Sequence, residues 1–283
     1  MVRGTRIVII TYITLMKRIY ILLAIEASLW SCQKADEHLI EDASKTDHLK
    51  SSYLEHKPNA EVNECKIVQV NYTVGSRNDV LQFTYNSSGD PISITRALGA
   101  HTGYPNFIFK YDDKDRMSEL IGTYDNNNVA EYWHKYFYNN KNQIVLDSAY
   151  IFPTVRNGFP ENSYIQQATF YTYDNKDRII KDSTSFSNSV TPVVHSYNYD
   201  NNGNKTGSLY DDQVNINRTN KIWMFLNRDY SVNNPFKADS YNTTGLPSSF
   251  DLATTGSSFS FLATGFQKAQ INYECNAKTA NNK

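Results

Sequence analysis

The sequence has few of the residues and motifs that carry chemistry in enzymes. It contains three cysteines, three tryptophans and six histidines among 283 residues. No two of the cysteines and histidines have the close spacing that is typical of zinc sites. Neither a Gly-x-Ser-x-Gly nucleophile motif nor a phosphate-binding glycine loop occurs. We therefore expect no catalytic residue, no metal and no cofactor.

Net charge is also nearly absent. The chain has 28 basic and 29 acidic residues, which gives a formal net charge of −1. The segment 1–31 carries a net charge of +3, so the segment 32–283 carries −4. A mildly acidic chain has no electrostatic footprint for nucleic acid or for an anionic lipid surface. We therefore expect no nucleic-acid partner.

Long apolar runs are confined to the segment 1–31. A short cationic start, Met16-Lys17-Arg18, precedes an apolar run over 19–25 and the tetrapeptide Leu29-Trp30-Ser31-Cys32. This order is typical of a secretory signal. The charges of Lys17, Arg18 and Glu26 leave less than the roughly 20 apolar residues that a spanning helix needs. An uncleaved anchor is the alternative, and the start of translation, Met1 or Met16, is left open.

Aromatic residues are plentiful, and they favour strands. Tyrosine occurs 21 times and phenylalanine 14 times, whereas glycine occurs only 12 times. Tyr, Phe, Thr and Val suit pleated, half-buried surfaces, and the abundant Asn, Asp and Ser suit turns. We predict an all-β fold, an extended antiparallel sheet of repeated β-hairpins. Residues 32–62 are polar and form an expected flexible tether, which leaves 63–283 as a single β-repeat domain.

One short unit recurs along this domain. Two aromatic residues, two positions apart, are followed by Asn or Asp, in 83–86, 109–112, 136–139, 171–174 and 197–200. The sequence numbers of the second rings, Tyr85, Tyr111, Tyr138, Tyr173 and Tyr199, increase by 26, 27, 35 and 26. Side chains two apart share one face of a strand, and polar turn residues follow each unit. The spacing predicts one hairpin per repeat, with insertions in the loops.

The units resemble a known repeat. Tyr111-Asp112-Asp113-Lys114-Asp115-Arg116-Met117 and the segment 173–179 look like the Tyr-Asp (YD, or RHS-type) repeat, with Asp115 and Asp177 where glycine is usual. The resemblance covers 80–210. The tetrapeptide before it resembles a bacterial lipobox, which implies that Cys32 is lipidated. Together they are similar to a group of Bacteroidetes lipoproteins with degenerate YD repeats, and this resemblance implies an extended antiparallel sheet and no activity.

Lipidation of Cys32 would leave an even pair of cysteines. Cys65 opens the first predicted strand and Cys275 closes the last. An even pair in an exported protein favours a disulfide, and two free thiols are the alternative, which the sequence leaves open. Bridging requires the two strands to be neighbours, because the Cα atoms must lie within about 7 Å.

The chain after the repeats has a different pattern. Residues 205–210 are predicted to form one more strand, and 211–283 are predicted to cap the sheet. Ile222, Phe225 and Leu226 have helical spacing, so the cap is expected to hold a short helix. The segments 259–262 and 270–275 are predicted to form a closing hairpin.

Four aromatic residues are candidates for binding: Tyr132, Trp133, Tyr136 and Trp223. Exposed rings can stack on sugars or contact a protein, whereas rings laddered across strands stabilise the sheet itself. The acidic turns invite a calcium interpretation, although turn chemistry explains them equally well. We expect a non-catalytic protein, lipid-anchored at the outer membrane on its periplasmic or surface face, that binds a glycan or an envelope protein. The alternative is a polysaccharide-processing enzyme with unrecognised carboxylates.

Overall fold

The computed structural model describes residues 65–125, 129–156, 159–161, 165–256, 258–262 and 264–275. The expected signal segment 1–31, the lipidation candidate Cys32 and the expected tether 32–62 lie outside the described residues. Within the described residues, no helix is both long and apolar enough to cross a bilayer.

The described residues form 17 strands and little helix. The only α-helix among them, α1, spans Lys221–Leu226, and 3-10 turns occupy Ile216–Thr219 and Ala253–Thr255. The strands, β1 to β17, span Cys65–Val74, Arg77–Tyr85, Pro91–Arg96, Asn106–Tyr111, Met117–Thr123, Ala130–Tyr138, Ile144–Ile151, Val155–Arg156, Phe159–Pro160, Gln167–Tyr173, Ile179–Phe186, Val193–Ser196, Ser240–Tyr241, Pro247–Asp251, Phe259–Phe261, Thr264–Phe266 and Lys268–Cys275.

Thirteen of these strands make one long antiparallel sheet. Its order is β12-β11-β10-β7-β6-β5-β4-β3-β2-β1-β17-β14-β13, and β8–β9 and β15–β16 form two small separate hairpins. Consecutive strands are neighbours through most of the sheet, because each repeat folds into a local hairpin. The prediction of an all-β fold built from antiparallel hairpins, with a short helix near its end, is confirmed.

The last described strand returns to the first. β17 pairs with β1, so that Cys65 lies opposite Cys275, and the two form a disulfide across 210 residues of sequence. The predicted closing hairpin of 259–262 with 270–275 is wrong: β15 pairs with β16, whereas β17 lies between β1 and β14. The pairing with β1 sets Ile271 beside Val70 and buries both side chains.

One face of the sheet carries the main hydrophobic core. The first ring of each aromatic pair points into it, and the chain after β12 covers it with α1 and a group of phenylalanines. Trp223 of α1 is fully buried and contacts Phe83 and Phe109 of two different hairpins. Phe225 contacts Tyr136 and Tyr171 further along the sheet. The described part of the C-terminal segment therefore packs along the face of several repeats.

The strand predicted over 205–210 does not form. Only Lys205 pairs, in an isolated bridge with Tyr199, after which Gly207 has a φ of +96°. The Lys205 amide donates to the Ser231 hydroxyl, and its ammonium donates to the Arg228 carbonyl. After Lys205 the chain therefore leaves the sheet and turns back over the core.

Candidate functional site at the corners of the sheet

Each repeat ends in a turn with one shared geometry, which we call a corner: a tyrosine, an Asn or Asp, and the next four residues. In the corner at Tyr111, the Asp112 amide donates to the Arg116 carbonyl, and the Asp115 amide donates to the Asp112 carbonyl. Oδ1 of Asp112 also accepts from the amides of Lys114 and Arg116. Asn and Asp are needed because their side chains can bond the backbone two to four residues on. Six corners share the two backbone bonds, those at Tyr85, Tyr111, Tyr138, Tyr173, Tyr199 and Tyr241.

The third residue after the Asn or Asp is left-handed in every corner. These residues are Gly89, Asp115, Asn142, Asp177, Gly203 and Gly245, with φ between +55° and +86°. Only glycine adopts this conformation without cost, and Asn and Asp tolerate it better than other residues. Asp115 and Asp177, which stand where the YD repeat usually has glycine, therefore serve the same backbone geometry. The hairpins therefore share one corner geometry, in which glycine, Asn or Asp occupies the left-handed position.

In five of the six corners, the tyrosine hydroxyl donates to a backbone carbonyl of a preceding strand, whereas the Tyr241 hydroxyl donates to the Asp211 carboxylate. The Tyr138 hydroxyl donates to the Met117 carbonyl at 2.7 Å, and the Tyr173 hydroxyl donates to the Ile144 carbonyl at 2.8 Å. From Tyr111 to Tyr199, the accepting carbonyl lies six residues after the tyrosine of the preceding corner. Burial raises the pKa of these phenols, so the hydroxyls remain donors at neutral pH.

Two corners add an arginine to this pattern. Arg116 donates from Nε and a terminal nitrogen to Asp112, and its guanidinium lies 4.3 Å from the ring centre of Tyr138. Arg178 bonds Asp174 and stacks on Tyr199 in the same way. Burial alone would raise the pKa of Asp112, but hydrogen bonds from Arg116 and two backbone amides outweigh it, so the pKa is lowered. The carboxylate is therefore fixed as a charged structural group.

A groove of about 480 Å³ runs between the corners and α1, and we call it the corner groove. Tyr138, Tyr173, Phe225 and Tyr230 supply its aromatic rings. Side-chain bonds join successive corners along it, from Arg116 to Asn142 and from Gln143 to Asp177. Basic, acidic and amide side chains also line it, namely those of Lys114, Asp115, Arg116, Lys141, Asn142, Gln143, Asp177 and Lys221.

The four aromatic residues singled out from the sequence lie elsewhere. Tyr136 and Trp223 are buried in the main core, where Tyr132 is half-buried against Phe107. Trp133 is buried on the opposite face, where its ring packs at a tilt against Tyr150. These rings pack against neighbouring side chains, and Tyr132 and Tyr136 also line a second, smaller cavity. The groove rings include Tyr138 and Tyr173, which the repeat pattern identified as structural, and Tyr230, which no sequence signal marked.

A second cavity, of about 220 Å³, lies over the core face near His134 and Asp147. His134 Nδ1 is 2.8 Å from a carboxylate oxygen of Asp147, which is buried. Arg228 also lines the cavity, together with apolar side chains. Sites for small ligands usually measure about 300–1,000 Å³, so the corner groove is the better candidate of these two cavities.

The described residues contain no group of three or more His, Cys, Asp or Glu that could hold a metal ion. In the acidic turn 112–116, which invited a calcium interpretation, both Asp112 oxygens accept hydrogen bonds from Lys114 and Arg116. A calcium ion takes six to eight oxygen ligands, and this turn uses its best-placed carboxylate to hold its own backbone.

No model of a known protein family matches the chain, and no curated protein matches it. Among solved structures, a chain in the crystal structure of TcdB2-TccC3-Cdc42 is 12% identical over 48% of this chain, with a TM-score of 0.27. The match spans 8% of that chain. A TM-score this low carries no argument about fold or function.

Proposed function

We propose that the protein is a non-catalytic, lipid-anchored protein of the bacterial cell envelope that binds a glycan in the corner groove. The observation that carries this proposal is the combination of three tyrosine rings with hydrogen-bonding side chains of both charges in one groove. A sugar ring has an apolar face, which suits an aromatic side chain, and a rim of hydroxyls, which suits planar polar groups.

The anchoring part of the proposal depends on the sequence. The tetrapeptide Leu29-Trp30-Ser31-Cys32 resembles a lipobox, and the chain is similar in its order of segments to Bacteroidetes lipoproteins with YD repeats. The disulfide between Cys65 and Cys275 supports an oxidising compartment. Metabolic labelling with a palmitate analogue tests the anchor: label should enter the wild-type chain and not Cys32→Ser, and equal labelling would contradict it.

A polysaccharide-processing enzyme is less well supported by the same groove. Asp115 and Asp177 both line it, but the corner that contains Asn142 lies between their corners. Four strand spacings of about 4.8 Å put them roughly 19 Å apart. Glycosidase carboxyl pairs lie about 5–9.5 Å apart. Asp177 also accepts a hydrogen bond from Gln143 at 2.6 Å, which holds it in the wall of the groove.

A glycan array of neutral and acidic polysaccharide fragments, probed with the detergent-solubilised full chain, tests the function. Lys141 and Lys176 provide a matched pair, because both are exposed at the same position of neighbouring corners and only Lys141 lines the groove. We expect Lys141→Ala to weaken binding about tenfold, the usual effect of losing a hydrogen bond from a charged group. Lys176→Ala should change affinity less than twofold.

Two results would reject glycan binding in this groove. One is an array with no bound glycan, and the other is a bound glycan whose affinity is equal in the two lysine variants. Capture of one envelope protein by wild type and not by Lys141→Ala, with a silent array, would reassign the groove to a protein partner.

A further inference from the structure

The sheet ends at β12, whose outer edge points away from β11. Among the described strands, only β11 pairs with β12, in a register that sets Asp182 opposite His195. The Tyr197 amide donates to the Ile180 carbonyl at 2.8 Å, so Tyr197 faces β11. Backbone groups alternate in direction along an antiparallel strand. The amides and carbonyls of Val194 and Ser196 therefore point to the outer edge.

Natural proteins usually protect such an edge with charged side chains, proline, bulges or very short strands. The opposite end of the sheet fits that rule, because β13 is only two residues long. β12 does not: it consists of Val193, Val194, His195 and Ser196, and its two valines are 46% and 51% exposed. An exposed edge that has β-branched side chains and no Lys, Arg, Asp or Glu favours another extended strand as its partner.

The length of this open edge indicates which strand fits. Pro192 has no amide hydrogen and bounds the edge on one side. On the other side, the Thr206 amide already donates to the Asn198 carbonyl, after which the chain turns away. Two outward-facing residues, Val194 and Ser196, remain between these limits. This short edge is complementary to itself. A second copy of β12, related by a two-fold rotation at His195, runs antiparallel and sets each Val194 opposite the other copy's Ser196.

We propose that two copies of this chain associate through the outer edge of β12, antiparallel about a two-fold axis at His195, and so join their 13-stranded sheets. Four backbone hydrogen bonds cross the axis, two from each copy. His195 lies opposite its own counterpart, in a pair whose Cα atoms are about 4.5 Å apart because its amides face inward.

Cross-linking of the full chain in native membranes tests this arrangement. His195→Cys places two thiols directly opposite one another across the axis, within the Cα range of a disulfide. Mild oxidation should convert most of this variant to a disulfide-linked dimer. Two controls, the parent chain and Ser240→Cys in the opposite edge strand, should remain monomeric under the same treatment. If His195→Cys does not fold, Val194→Cys/Ser196→Cys gives the same dimer through two symmetric bridges.

A second substitution shows whether the backbone makes the contact. Val194→Pro removes an amide that faces the partner and leaves the bonds to β11 intact, whereas Val194→Thr keeps that amide. Combined with His195→Cys, the proline should reduce dimer yield at least tenfold and the threonine less than twofold. Equal cross-linking of His195→Cys and Ser240→Cys, equal yields with proline and threonine, or a cross-link to a different protein would each overturn the proposal.

Discussion

At the scale of single residues, the corners depend on one unusual backbone conformation. Asp115 has a φ of +55°, in a region where an L-residue costs about 1–2 kcal/mol and where Asp and Asn are better tolerated than alanine. The sequence alone located this position, because other copies of the unit have glycine there, at Gly89 and Gly203. It did not indicate that aspartate adopts the same conformation, since no local pattern fixes the φ of a non-glycine residue.

We predict that Asp115→Gly is at least as stable as the wild type, whereas Asp115→Ala loses about 1 kcal/mol of unfolding free energy. Alanine keeps the Cβ that disfavours the left-handed region and lacks the polar side chain that eases it. Urea denaturation of the two variants gives the difference. Asp113, exposed in the same corner, is the control, and Asp113→Ala should stay within about 0.5 kcal/mol of wild type. Equal stability of the Ala and Gly variants at position 115 would refute this explanation of the turn.

At the scale of the hairpin, the repeat is held by contacts between one corner and the next. The paired aromatics divide this work: the first ring enters the core, and the second sends its hydroxyl to the main chain of the preceding hairpin. The aromatic alternation predicted that both rings share a face. The hydrogen bond of the hydroxyl could not be predicted, because its acceptor is a backbone carbonyl and every residue has one. For a related reason, the sequence did not show that Trp133, Tyr136 and Trp223 are buried, since a sequence does not tell which face of a sheet will be covered.

We predict that Tyr138→Phe lowers the unfolding free energy by about 1–2 kcal/mol, because it leaves the Met117 carbonyl without its 2.7 Å bond and keeps the ring. Denaturation followed by circular dichroism measures the loss. Tyr124→Phe is a suitable control, since its hydroxyl bonds only side chains, that of Thr102 at an exposed position and, at 3.3 Å, that of Glu131. The effect there should be less than half as large. A loss at Tyr138 no greater than at Tyr124 would show that the corner bond does not hold the hairpins together.

At the scale of the molecule, the strand order shows which pairings join strands that are close in sequence and which join distant ones. Strands β2 to β7 follow their sequence order, and their hairpins were predicted from turn residues and alternation. The pairing of β1 with β17 was not, because these strands come first and last among the described elements and no short-range pattern records such a contact. The two cysteines marked both strands, but the sequence left their pairing open.

The same long-range closure should dominate the stability of the whole sheet. The disulfide spans 210 residues, and in the chain-entropy model a loop of that length stabilises the native state by about 5 kcal/mol through the unfolded chain. We predict that Cys65→Ser/Cys275→Ser unfolds at a much lower urea concentration than wild type, with a loss of several kcal/mol. The addition of a reductant should shift the wild type to the midpoint of the double variant and leave that variant unchanged. If reduction left the wild-type midpoint where it was, β1 and β17 would be held by their ladder and by Ile271 and Val70 alone, without help from the bridge.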